Sequence, residues 1–153
     1  MARLEELPQQ LHSGLAALSC PTFETFPWQE GPPLKSRRVA IISTAGLHSR
    51  NERPFTIVSD DYRTIPASVK ANDLVMSHVS ANFDRSGFQQ DLNLIFPIDR
   101  LKELDDAGLI GSVADFHYSF MGAADPLLMA SSARNLAGNL KKDNVNAVLL
   151  IPV

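Results

Sequence analysis

From residue 38 onward, short apolar runs alternate with polar segments and with helical repeats of leucine. The runs "VAIISTAG" (39–46) and "DLVMSHVS" (73–80) end in small or polar residues, as the inner strands of a sheet do. A third strand is predicted in "GSVADFHYSFMG" (111–122). The segment "NAVLLIPV" (146–153) is apolar at nearly every position, which is typical of a parallel strand buried on both faces.

Two amphipathic helices lie between these strands. In "PIDRLKELDDAG" (97–108) the apolar residues share one face, and Gly108 suits the left-handed position that follows a helix. The second helix has Asp125 as a cap, Pro126 in its first turn, and Lys141 and Lys142 at its end. Strands separated by helices predict an α/β domain over residues 38–153, with a mostly parallel open sheet of Rossmann-like or flavodoxin-like type.

Residues 1–37 have a different pattern and predict an N-terminal helix followed by an extended arm. Leucines at positions 4, 7, 11, 15 and 18 follow helical spacing, and Pro8 either kinks this helix or marks its start. Prolines at 21, 27, 32 and 33 favour extended backbone. Phe23, Phe26 and Trp28 are expected to hold the arm against the body of the protein.

Composition and charge exclude several classes of partner. The net charge of −3 without clusters of Lys and Arg argues against nucleic acid and membrane surfaces. Neither a signal peptide nor an apolar run long enough to span a membrane is present in the 153 residues. The one cysteine, Cys20, rules out an intrachain disulfide and fits a reducing compartment, so a cytoplasmic location is expected.

Histidines are the first candidates for chemistry, because three of them lie in or just after predicted strands. His48, His78 and His117 are candidates for catalysis, as an acid–base cluster or as an open zinc site at the carboxyl edge of the sheet. Their spacing matches no known metal signature, so no metal ligand is assigned. Isolated, hydrogen-bonded histidines are the favoured interpretation.

Substrate-binding candidates lie in two polar loops. Within residues 80–97, Asp84, Arg85 and Asn93 offer donors and acceptors, and Arg53 lies in the loop after the first strand. Arg85 is suited either to clamp a substrate carboxylate or to pair with Asp84 or Asp91. The sequence contains no GxGxxG, GxxxxGK[ST], GxSxG or HExxH motif.

Five stretches of the sequence together form a recognisable series. In chain order they are "ISTAGLHSRNERPF", "DDYRTIP", "SHVSANFDRSGFQQDLNLIFPIDRL", "GLIGSVADFHYSFMG" and "NAVLLIPV". This series resembles the selenoprotein B family of glycine, sarcosine, betaine and D-proline reductases. The resemblance implies that the last strand leads into a redox motif, selenocysteine or cysteine with a cysteine two residues later. It also implies an amino-acid-like substrate, partner reductase subunits, and a pyruvoyl group on one partner. The 153 residues contain neither this nucleophile nor a cofactor, so the chain alone is expected to be inactive.

The missing redox motif leads to further expectations. The nucleophile is expected immediately after Val153, with a UGA codon read as stop, so that the domain is incomplete at its C-terminal end. Apolar surface near residues 149–153 is then expected to be exposed or paired, and a homodimer is predicted. A non-catalytic binding or regulatory module is the alternative function. A small metal-dependent enzyme using the histidines is a third.

Overall fold

The computed structural model describes residues 4–17, 21–22, 24–80 and 85–153. Within these residues the chain forms seven β-strands and four α-helices. In chain order they are α1 (Gln9–Ala16), β1 (Arg38–Ser43), β2 (Leu47–Ser49), β3 (Tyr62–Pro66), β4 (Leu74–Met76), α2 (Ser86–Gln90), α3 (Ile98–Asp106), β5 (Ser112–Val113), β6 (Phe116–Phe120), α4 (Ala130–Lys142) and β7 (Ala147–Ile151).

The main sheet is built around β1, which confirms the predicted mostly parallel α/β architecture. β7 runs parallel to β1 along its whole length, in a register that places Ile41 opposite Leu149. On the other side of β1, β5 pairs with its beginning and β6 with its end, both in parallel. β3 completes this side by pairing antiparallel with β6. The carboxyl ends of β1, β6 and β7 therefore meet at one edge of the sheet.

Residues 73–80 were expected to supply an inner strand of this sheet, and that prediction is wrong. β4 pairs antiparallel with β2 in a separate two-stranded sheet, with His48 opposite Val75. The apolar run is real, but its three strand residues include only one fully buried side chain, Leu74. An apolar run of this length is compatible with either type of pairing.

The side chains of β1 alternate between two apolar layers. Val39 and Ile41 pack with Leu101 of α3 in the larger core cluster. Ile42 points the other way and packs against the smaller cluster around Leu136 of α4. Because the two faces of a strand alternate, helices on both sides of the sheet follow from the β1 sequence.

The two predicted helices differ in how well their starting points were predicted. α3 spans Ile98–Asp106, and Gly108 follows it with φ +65°, as expected for the residue after a helix. α4 begins at Ala130, several residues later than predicted. The Asp125 carboxylate instead accepts the Leu127 N–H at 2.9 Å within a turn. The Asp-Pro pair therefore stabilises a turn before the helix.

The N-terminal arm is less closely packed than its sequence indicates. α1 begins directly after Pro8, whose carbonyl accepts the His12 N–H, so Pro8 marks the start of the helix. The side chains of Phe26 and Trp28 are 82% and 67% exposed, so these two residues do not hold the arm against the body. Cys20 and Phe23 lie outside the described residues.

β7 is an edge strand, and the expectation that it is buried on both faces is wrong. Val148, Leu149 and Leu150 are 40%, 38% and 67% exposed, respectively. The expected exposure of apolar surface near the end of the chain is therefore confirmed for these positions. Among the described residues, no helix has the length and apolar character required to cross a membrane.

Candidate functional site

Three chain segments meet at the carboxyl edge of the main sheet. The Gly122 N–H donates to the Thr44 carbonyl at 2.9 Å, and the Gly46 N–H donates to the Phe120 carbonyl at 2.8 Å. The Val153 N–H donates to Oγ1 of Thr44 at 2.8 Å. These contacts join the segments that follow β1, β6 and β7 into one continuous surface.

The segment after β4 brings His78 to this same edge. The Ser77 N–H donates to the Gly46 carbonyl at 2.9 Å, which attaches the end of β4 to the turn after β1. Gly46 has φ +65°, and a Cβ there would lie only 2.9 Å from the main-chain nitrogen of His78. Glycine is therefore required at position 46 both by the backbone conformation and by the closeness of His78.

The His78 imidazole lies in a confined space beside the end of β7. A Cβ built on Gly122 would lie 2.9 Å from Nε2 of His78, 2.8 Å from the Val153 carbonyl oxygen and 2.9 Å from the Thr44 carbonyl oxygen. The imidazole and the last residue of the chain are thus neighbours, separated by a position that only glycine fits. His78 is buried, with 5% of its surface exposed.

The hydrogen bonding of His78 defines its tautomer and its charge. Nδ1 accepts the Ser80 N–H at 3.2 Å, so the proton of the neutral ring resides on Nε2, the ring atom that faces Gly122. Burial lowers the pKa of His78, and the positive charge of Arg85 lowers it further. The side chain is therefore a neutral imidazole that presents an N–H at the sheet edge at neutral pH.

Arg85 shapes the loop that follows His78. Its Nη2 donates to the His78 carbonyl at 2.8 Å and to the Ser80 carbonyl. The same side chain borders a cavity of about 360 Å³ under α2. The cavity wall is mixed: Leu47, Leu74, Phe88 and Ile95 are apolar lining residues, and Asn72, Gln89 and Gln90 are polar ones. A role for Arg85 in binding a substrate carboxylate stays a prediction, and Asp84 lies outside the described residues.

His117 and His48 are buried in other parts of the molecule. Nδ1 of His117 accepts the Ile41 N–H at 2.9 Å in the interior of the sheet, and the ring packs edge-on against Phe96. Burial lowers the pKa of His117 to about 4. In β2, Nδ1 of His48 donates to the Ser49 carbonyl at 2.8 Å, and the ring packs against Phe55. Both side chains are engaged with backbone groups.

The three imidazoles lie in different parts of the fold. The described residues contain no group of three or more His, Cys, Asp and Glu side chains placed to hold a metal ion. His78 reaches the carboxyl edge beside Val153, whereas His117 bonds to the middle of β1 and His48 belongs to the smaller sheet. The histidines therefore act separately, and only His78 combines burial with a position at the end of β7.

Asn93 and Arg53, the remaining candidates, are placed by local contacts. Asn93 links Asp91 to the start of α3, since its Nδ2 donates to both Asp91 and Asp99 and its Oδ1 accepts the Asp99 N–H. The Arg53 side chain is largely exposed and lies 4.0 Å from Asp61. Neither contact joins these residues to His78, and their role in substrate binding stays a prediction.

Sequence reasoning missed the two glycines that define this site. Gly46 and Gly122 lie on either side of His78, and substitution of either would place a Cβ within 2.9 Å of it. The signal in the sequence was their position, since each is the last residue of a segment predicted to contain a strand. A glycine at the carboxyl end of a strand indicates close approach of another group.

Comparison with known proteins gives several related chains. The chain is 32% identical over 120 residues to D-proline reductase subunit gamma of Acetoanaerobium sticklandii, which covers 76% of this chain and 49% of that protein. It is 27% identical to glycine reductase complex component B subunit gamma of Symbiobacterium thermophilum and to sarcosine reductase complex component B subunit beta of Peptoclostridium acidaminophilum. These two matches cover 85% of this chain but only 32% and 31% of the relatives.

The chain therefore spans about half the length of the first relative and about a third of the other two. No solved structure gives a significant match. The family model for glycine/sarcosine/betaine reductase selenoprotein B matches residues 20–152, which include all seven described strands, His78 and Gly122. The chain belongs to the glycine/sarcosine/betaine reductase selenoprotein B family.

Proposed function

We propose that this chain forms the part of a reductase subunit that positions the redox residue. The reaction is the reductive cleavage of the C–N bond of an amino acid or a derivative, of the kind represented by glycine, sarcosine, betaine and D-proline. Membership of the selenoprotein B family supports the reaction class, and the names of the relatives support assembly with partner subunits. Selenocysteine in the full gene product and a pyruvoyl group on a partner subunit belong to this proposal.

The observation that carries the proposal is the meeting of His78 and Val153 at Gly122. A residue joined to Val153 would begin beside the imidazole, at the edge where open α/β sheets bind their ligands. In the resemblance drawn from the sequence, this residue is the selenocysteine or cysteine nucleophile. The fold would thus hold the nucleophile at the end of a strand and next to a buried N–H donor.

His78 has the chemistry that such a site requires. A selenolate or an activated thiolate is already ionised near neutral pH, so the nucleophile needs no strong base nearby. Nε2 of His78 carries the proton of the neutral ring, which suits it to donate a hydrogen bond to the anionic nucleophile or to a developing anion. Arg85 maintains the geometry of the loop and lowers the pKa of His78.

The gene sequence after the Val153 codon tests the placement of the nucleophile. We expect a UGA codon followed by coding sequence, with a cysteine codon two positions beyond the selenocysteine. A UAA or UAG codon without further coding sequence would overturn this placement and would favour a non-catalytic binding module.

An activity assay tests the role of His78. The complete reductase complex would be supplied with a dithiol and, in turn, with each of the four substrates. His78→Gln is expected to lower kcat by about 10²- to 10³-fold, which is the usual contribution of one positioned hydrogen-bond donor. His12→Gln, in α1, is the matched control and should leave kcat unchanged. Full activity of the His78→Gln complex would rule out a catalytic role for this side chain.

A further inference from the structure

The outer edge of β7 offers unpaired main-chain groups. Among the described strands, β7 pairs only with β1. The Ile151 carbonyl accepts the Thr44 N–H at 3.0 Å and so faces β1. Because neighbouring carbonyls of a strand point to opposite sides, the main-chain groups of Val148 and Leu150 face outward. No charged residue or proline interrupts residues 147–151, so these positions lack the usual protection against strand addition, which begins only at Pro152.

An apolar groove runs beside this edge on the α3 side of the sheet. It has a volume of about 320 Å³, and its lining includes Leu34, Leu101, Leu104, Leu109, Val148 and Leu149. Several of these leucines, including Leu34 and Leu109, are about half exposed. Edge and groove together form one continuous apolar surface, which in soluble proteins usually marks an interaction site.

The N-terminal arm has the features of a strand that adds to such an edge. Phe26 and Trp28 are two positions apart, so in extended backbone their side chains lie on the same side and their N–H groups point in the same direction. Pro27, between them, has no N–H, and in a paired strand its nitrogen would face away from the partner. The arm can therefore donate hydrogen bonds to a strand on one side without leaving an unsatisfied N–H on the other.

We propose that residues 24–28 of one copy of the chain add to the outer edge of β7 in a second copy, with Phe26 and Trp28 covering the apolar groove. The same chain thus provides both the exposed aromatic segment and the exposed apolar edge. Mutual exchange of arms gives a closed dimer with two equivalent interfaces.

The base of the arm favours a second copy over the chain's own groove. Nε of Arg37 donates to the Pro32 carbonyl at 2.9 Å, and Pro32 and Pro33 restrict the backbone to extended conformations. From this fixed base the arm extends with Phe26 and Trp28 largely exposed, so neither side chain fills the groove of its own chain. Six extended residues reach at most about 20 Å, which suffices to cross to a neighbouring copy.

Trp28 is the single tryptophan of the chain, so its fluorescence reports directly on the arm. The 153-residue chain would be studied by sedimentation and fluorescence over the micromolar range. We expect a monomer–dimer equilibrium in which Trp28 emission shifts to the blue and becomes protected from acrylamide as the dimer forms. Leu149→Lys, which places a charge in the groove, and Phe26→Ser should each weaken association by about tenfold or more, and both keep the tryptophan.

Val58→Lys is the matched control, because Val58 is also largely exposed but lies in the loop before β3. This variant should associate like the wild-type chain. A monomer with exposed Trp28 at all concentrations would overturn the proposal. A monomer whose Trp28 is protected, and is released by Leu149→Lys, would show that the arm binds its own chain. A dimer that is insensitive to Leu149→Lys and Phe26→Ser would assign association to another surface.

This proposal does not rest on the reductase assignment. A reductase subunit and a non-catalytic module with this fold would show the same arm exchange. The prediction of a dimer and the prediction of a lower kcat in His78→Gln can therefore be contradicted independently.

Discussion

The main-chain N–H of Ile41 donates to Nδ1 of His117 at 2.9 Å, so a side chain takes the place of a strand carbonyl in the middle of the sheet. A side-chain acceptor is needed here because β5 ends at Val113 and β6 begins at Phe116. Neither of these strands therefore places a carbonyl opposite this part of β1. An unpaired N–H buried at this position would cost about 1–3 kcal/mol. His117 therefore has a structural explanation that accounts for its complete burial.

This arrangement predicts a specific pH dependence of stability. Burial lowers the pKa of His117 from 6.5 to about 4, so the unfolded chain binds a proton at a higher pH than the folded chain does. The free energy of unfolding should fall as the pH drops from about 6.5 to about 4, by up to about 3 kcal/mol from this residue. Above pH 6.5 the same residue should contribute no pH dependence.

Denaturant unfolding at a series of pH values measures this effect. His117→Asn provides the comparison, because the amide oxygen can still accept the Ile41 N–H but does not titrate in this range. The fall in stability between pH 6.5 and 4 should be smaller in the variant by the contribution of His117. Equal pH dependence in the two proteins would contradict the lowered pKa.

Gly122 is predicted to be intolerant of even a methyl group. The added Cβ of Gly122→Ala would lie within 2.9 Å of the Val153 carbonyl, the Thr44 carbonyl and the His78 ring, and two of these are backbone atoms with little freedom to move. We expect a loss of about 1–3 kcal/mol in the free energy of unfolding. Gly138→Ala, in α4, is the control.

A Cβ on Gly138 would meet nothing within 4 Å, and alanine is the better helix former. This variant should therefore gain about 0.5–1 kcal/mol. Thermal and denaturant unfolding of both variants would measure the contrast. A Gly122→Ala protein as stable as the wild type would mean that the chain around Val153 and His78 relaxes freely.

A hydrogen-bonded network around Arg38 and Asp143 lies at the amino end of the sheet. The Asp143 carboxylate accepts hydrogen bonds from Nη2 of Arg38 at 2.5 Å and from the Asp115 N–H at 2.9 Å. Arg38 also donates to the Val113 carbonyl at 2.6 Å, so the network links β1, β5 and the end of α4. Burial would raise the pKa of Asp143, but the hydrogen bonds from Arg38 and Asp115 outweigh it and hold the pKa below its usual value.

Asp143→Ala should lower the free energy of unfolding by about 2–3 kcal/mol, because it leaves a partly buried guanidinium without this partner. The contribution of Asp143 should be present at neutral pH and be lost as the pH falls below about 4, toward the lowered pKa. Glu103→Ala is the control, since its pair with Arg100 is exposed and is expected to be worth less than about 0.5 kcal/mol. Similar losses in both variants would contradict a special role for the Arg38 network.

The parts of this structure that were predictable from the sequence are those encoded within a single segment. α3 is specified by its own apolar face and by Gly108, and β1 by its continuous apolar run. The partners of a strand are not local information. The sequence of β4 therefore did not reveal that it pairs with β2, and the sequence of β7 did not reveal that β1 is its one partner among the described strands.

The same reason limits the prediction of the site. His78 and His117 both lie near apolar runs, and their roles differ because of residues far away in sequence. The hydrogen bond from the Ile41 N–H gives His117 a structural role, whereas His78 lies at the sheet edge beside Gly122 and Val153. The distances that decide between these roles arise only when β1, β4, β6 and β7 come together.

The last prediction concerns the electrostatic link between Arg85 and His78. Arg85 donates to the His78 carbonyl at 2.8 Å, and its positive charge is the second cause, after burial, of the lowered pKa of His78. Arg85→Gln removes the charge, so the pKa of His78 should rise toward the ordinary histidine value. Arg53→Gln is the matched control, because it removes the same charge from a side chain that is largely exposed beside Asp61. NMR titration of the imidazole protons would measure the pKa in each protein. An increase in Arg85→Gln alone would establish that the loop after β4 tunes this histidine. An unchanged pKa in Arg85→Gln, or an equal rise in Arg53→Gln, would show that burial alone determines it.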